Sequence, residues 1–87
     1  MDRAAFEAEL IKDGYRVSEG QMSEAKPKPQ HTHDFSARAM VLEGAITLRT
    51  GDTERTYRVG DVYSLEAGTM HTEVVGPEGV RYLAGIR

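Results

Sequence analysis

The feature that most narrows the fold is a regular punctuation by glycine. From Tyr15 onward, Gly44, Gly51, Gly60, Gly68, Gly76 and Gly79 cut the chain into strand-length pieces. The interval is about eight residues, which suits short strands joined by turns in a sandwich or barrel. Between the glycines lie SARAMVLE, AITLRT, TERTYRV, DVYSLEA, HTEVVG and VRYLAGI, all rich in Val, Ile, Leu, Thr or Tyr, residues that fit a pleated surface. Thr-Gly-Asp-Thr at 50–53 predicts a tight hairpin turn. Gly-Pro-Glu-Gly at 76–79 predicts a second, with Pro77 presetting the φ a turn needs.

Ahead of the glycine-spaced region the period changes. Residues 2–12 predict a short helix: Asp2 can cap it, Phe6 and Leu10 share a face at i, i+4 with Ile11 beside them, and Gly14 supplies a stop. The organisation expected is therefore a helix over 1–14 and a single β domain over 15–87. Residues 24–30 cannot be helical, because Pro27 and Pro29 remove donors and push their predecessors toward extended geometry.

At 87 residues the chain can hold one core, and a domain this short is marginal unless a metal, a partner or disulfides add to it. With no cysteine, disulfides, thiol nucleophiles and thiolate metal sites are excluded, which leaves imidazole and carboxylate as the strong ligands. The net charge of −3 and the scattered Lys and Arg residues argue against a nucleic-acid partner. No apolar run reaches the ~18 residues a membrane span needs, and the N-terminus is not a basic segment followed by an apolar one. A cytoplasmic protein is expected.

The chain's three histidines fall in two places, His31 and His33 in QHTHDFS and His71 at the head of HTEVV. Side chains at i and i+2 share one face of a strand, so His31 and His33 can converge on one ion, and His71 can complete the site from a second turn-to-strand junction. Glu73, two residues beyond His71, lies on the same face as a fourth ligand or a proton-transfer group. Asp34 has the opposite parity and is expected to point away. Tyr15, Tyr57, Tyr63, Tyr82, Met22, Met40 and Met70 are candidates for cavity lining or plain core. No nucleophile motif surrounds the serines, and no glycine-rich segment leads into a helix to hold phosphates.

These histidines, with their flanking glycines, resemble the two motifs of a small single-domain cupin. His31-Thr32-His33 runs through DFSARAM to Gly44 as in the first motif, and Gly60, Gly68 and His71 fall on the second. The resemblance implies an all-β, cupin-type antiparallel barrel (a double-stranded β-helix or jelly roll) behind a short N-terminal helix. It also implies one divalent metal ion (Zn, Fe, Ni, Mn or Cu), a small-molecule ligand or substrate, and a homodimer covering the exposed sheet edges. Two departures matter. Ala37 stands where the first motif has its glutamate ligand, so an open coordination position is expected there, and Glu66 replaces the proline of the second motif, a change expected to affect only a turn. The functions left open are a metal-dependent oxygenase, isomerase or hydrolase, a non-enzymatic binding or sensing module, and a metal-free structural protein.

Overall fold

A computed structural model describes residues 1–23 and 30–87. The expectation about the two prolines therefore lies, except for Gln30, outside the described residues. Helix α1 (Arg3–Lys12) begins as expected: the Asp2 carboxylate accepts the Ala5 N–H at 2.8 Å, satisfying a donor the first turn leaves unpaired. Its end is a Schellman motif. Gly14, at φ 82°, donates to the Ile11 carbonyl, and Tyr15 donates to the Leu10 carbonyl at 2.9 Å. Phe6 and Leu10 are fully buried, whereas Ile11 is 62% exposed. It sits about 100° around the helix from Leu10, outside the stripe that meets the sheet. The helix lies close because residue 85 is glycine: a Cβ there would stand 2.8 Å from Tyr15 Cβ.

The strands are β1 (Arg16–Met22), β2 (Ala37–Thr50), β3 (Thr53–Arg58), β4 (Val62–Leu65) and β5 (Thr72–Ile86). Every pairing is antiparallel. The order is β1-β5-β2-β3, with β4 also on β2, so among the described residues the sheet curls without closing into a complete ring. The first part of β2 lies between β4 and β5, and its last part lies between β3 and β5.

Two glycine signals mark bulges where turns or breaks were expected. The segments on either side of Gly44 form the single strand β2, and those on either side of residues 76–79 form β5. Gly44 pairs with Val80 while Ile46 pairs with Val75, so residues 76–79 are surplus opposite Ala45 and the chain does not reverse. Gly44 and Gly79 both have φ 77°, and a Cβ on Gly44 would lie 1.9 Å from the Gly79 carbonyl oxygen. Only glycines permit so close an approach of two main chains. The irregularities also switch the parity of β2. Ala39 and Val41 upstream and Ile46 and Leu48 downstream all enter one core with Tyr63 and Val80. The turn expected at 50–53 is present: Thr50 pairs with Thr53, with positive φ at Gly51 and not at Asp52, the sign pattern of a type II′ hairpin.

Met22, Tyr57, Tyr63 and Tyr82 belong to this inner core. Tyr15 and Met40 instead pack on the outer face with Phe6, Leu10 and Leu83 beneath α1, and Met70 is 46% exposed, so these three do not line the interior. Among the described residues no helix is long and apolar enough to cross a membrane.

Candidate metal centre

The site forms where the segment ahead of β2 meets the start of β5. His31 and His71 are direct antiparallel partners, each donating its backbone N–H to the other's carbonyl at 2.9 Å. Residues paired in this way carry their side chains on the same face, and the imidazole centroids are 4.2 Å apart. His33 follows on that face, its ring 5.0 Å from His31 and 5.2 Å from His71. Glu73 joins them from β5, two residues beyond His71. One ligand atom from each of the four residues lies within 4.8 Å of all the others.

The buried imidazole is the most informative. His71 is 1% exposed, and its Nδ1 lies 2.9 Å from the Thr69 carbonyl oxygen. A carbonyl only accepts, so Nδ1 carries the hydrogen and Nε2 presents a bare lone pair. Among the described residues that Nε2 has no hydrogen-bond partner, although Glu73 Oε1 is 3.3 Å away. The proximity is therefore not a hydrogen bond while the ring is neutral: two lone pairs face each other across a buried gap. A proton or a metal cation resolves this, and a backbone carbonyl holding the far ring nitrogen is a usual way an imidazole ligand is oriented. Glu73 Oε1 is also 3.8 Å from His31 Nε2.

Partial burial, followed by the neighbouring His71 and His31 rings, pushes the His33 pKa below its ordinary value. Burial raises the Tyr63 and Tyr82 hydroxyls, and the Glu73 carboxylate adds to both shifts. Both tyrosines thus stay phenols at neutral pH. Tyr63 packs against Tyr57 with ring centroids 5.2 Å apart and a 47° tilt. His33 borders an open depression with Thr32, Asp34, Ala67 and Gly68.

The expected same-face arrangement of His31, His33, His71 and Glu73 is thus realised, but one route to it was different. A regular strand does not continue from His31 to Ala37, because bends occur at Asp34 and Phe35. Ala37 still shares the parity of the inward Ala39 and Val41, while the carboxylate comes from β5. Asp34 is exposed, as expected, and Arg38 pairs with Asp13 at 3.2 Å. Ser36 and Thr69 make hydrogen bonds beside the ligands that the motifs do not signal, and Glu66, expected to affect only a turn, is bonded to Ser36. The signal for Glu66 was its position in the second motif. Ser36 had none nearby, since its partners lie about thirty residues downstream.

A family model described as a cupin domain matches residues 15–84. No curated protein matches the sequence. Among solved structures, a cupin-2 domain protein from Shewanella frigidimarina is similar at TM-score 0.68 and 20% identity, over 84% of this chain and 69% of that one. A Rhizobium leguminosarum protein of unknown function reaches TM-score 0.76 at 18% identity, over 85% and 70%. KdgF from a Halomonas species reaches 0.65 at 20% identity, over 84% and 69%. At these identities the likeness extends to the fold alone.

Proposed function

The chain belongs to the cupin domain family, and on that premise we propose that it binds one divalent metal ion through His31, His33, His71 and Glu73, and through the ion a small polar molecule. The observation that carries this reading is the buried Nε2 of His71, unpartnered and 3.3 Å from a carboxylate oxygen. An unpaired buried nitrogen costs about 1–3 kcal/mol, a cost that coordination removes. Three neutral imidazoles and one carboxylate form a donor set suited to Zn, Fe, Ni, Mn or Cu.

A bound ion would supply a Lewis acid and a net positive charge. The chain's own residues do the rest. Thr69 fixes the His71 tautomer, Glu73 contributes the carboxylate that Ala37 lacks, and the depression beside His33 admits a ligand. Tyr63 and Tyr82, as phenols, provide donors near the carboxylate. Turnover of that molecule by a metal-dependent oxygenase, isomerase or hydrolase and its binding or sensing without turnover both fit this donor set. The same reading includes a homodimer, supported by β3 lying at a sheet edge.

Elemental analysis of protein purified without an affinity tag tests the metal. One ion per chain is expected, lost in His33→Ala. Wild-type protein that takes up none of the five metals on incubation would sink the proposal.

A further inference from the structure

We propose that Ser36 is a positioning residue for the metal centre: its hydroxyl, assisted by Glu66, ties the segment carrying His33 to the turn that orients His71. The inference rests on the metal reading above and adds a support that the ligand residues do not contain.

The Ser36 hydroxyl oxygen accepts the Ala67 N–H at 3.1 Å and donates to Glu66 Oε2 at 3.4 Å. The same short turn reaches both ligands. Gly68 donates its N–H to the His33 carbonyl at 2.8 Å, and Thr69 donates to the Glu66 carbonyl at 3.1 Å. The Thr69 carbonyl in turn accepts from His71 Nδ1 at 2.9 Å. One hydroxyl thus sits three residues from His33 along one segment and, through residues 66–69, one hydrogen bond from the atom that sets the His71 tautomer. A proline at position 66 would stiffen this turn covalently. With glutamate there, the hydrogen bonds hold it.

The two contacts differ in strength. A backbone N–H at 3.1 Å is an ordinary bond, whereas 3.4 Å is long for a hydroxyl and a carboxylate. Loss of the hydroxyl should therefore matter more than loss of the carboxylate. Removing groups that orient metal ligands lowers affinity by about 10–100-fold, and here the effect should lie at the lower end because the turn is exposed.

The test is a Co(II) titration of the full chain followed by visible absorption, alongside thermal melts without metal. Ser36→Ala should raise the Co(II) Kd about tenfold and alter the spectrum of the bound ion. Glu66→Ala should have a smaller effect, and the double variant should be no worse than Ser36→Ala, because both act on one turn. Ser36→Thr, which keeps the hydroxyl, and Glu66→Gln, which keeps an acceptor, should restore the wild-type spectrum. A role confined to fold stability would lower the melting temperature and leave the spectrum unchanged. If the wild type binds Co(II) and Ser36→Ala binds it within about twofold, with the same spectrum, the positioning role is overturned. If Ser36→Ala does not fold, an unchanged spectrum and Kd in Glu66→Ala overturn it equally. Wild-type protein that binds no Co(II) overturns the metal reading itself, a separate outcome.

Discussion

Replacing His71 by leucine should separate the stability of the fold from the capacity of the site, and in opposite directions. The imidazole is buried, with Nδ1 bonded to the Thr69 carbonyl and Nε2 unpaired opposite Glu73. Leucine removes the unpaired nitrogen, recovering about 1–3 kcal/mol, and forfeits one hydrogen bond worth about 0.5–1.5 kcal/mol. The Thr69 carbonyl is only half-buried, so water can take the place of its lost donor. The metal-free variant should therefore lie between about 0.5 kcal/mol below and about 2.5 kcal/mol above the wild type, the upper end being roughly 10–20 °C in Tm for a domain of this size. Metal reverses the order: at a hundred times its Kd a ligand adds about 2.7 kcal/mol to the protein that binds it. Thermal melts at pH 8, with chelator and then with Zn(II), measure both limbs. A metal-free His71→Leu protein less stable than wild type by more than about 2 kcal/mol would refute the reasoning, because it would mean that the imidazole is fully paired without a cation.

Two further outcomes follow from the same geometry. Gly44→Ala, at φ 77° with its Cβ 1.9 Å from the Gly79 oxygen, should cost about 2–5 kcal/mol in urea unfolding, combining left-handed strain with overpacking; Gly51→Ala, at φ 57° in open space, should cost only about 1–2. The depressed His33 pKa means that the folded chain binds fewer protons than the unfolded one below the ordinary imidazole value of about 6.5. Metal-free stability should therefore be fully present above that pH and fall as pH drops through the lower folded pKa, and His33→Gln should flatten that slope in urea midpoints measured across pH.

What could be read from the residues depended on how local each cause was. The cap at Asp2, the stop at Gly14 and the hairpin at 50–53 each need only a few neighbours, and all three are present. The convergence of His31, His33 and His71 followed from two-residue periodicity plus the resemblance of both motifs, and Glu73 followed from parity within one short run. Gly44 and residues 76–79 misled because a glycine at positive φ serves a turn and a bulge equally well. Which one it serves depends on a backbone that approaches from the other strand, here Gly79 against Gly44. Ile11 failed for a related reason: the width of the helix stripe is set by the sheet beneath it. The Ser36 to Glu66 contact joins residues with no shared local pattern, so nothing short of the folded chain reveals it.

The pairing of β2 with β5 also fixes when the site comes into being. Loop closure is least costly for contacts near in sequence, so the β2–β3 hairpin at 50–53 can form first and the β2–β5 ladder can zip outward from Arg49 and Thr72 toward Ala37 and Ile86. His71 and Glu73 are thus anchored early. His31 joins from the opposite edge of β5, across a forty-residue separation from His71, itself one of the slower non-local steps typical of β topologies. The β1–β5 ladder, from Arg16 with Ile86 to Met22 with Val80, closes longer loops still, so the four ligands can meet before the sheet is complete and metal uptake would report an intermediate stage of assembly.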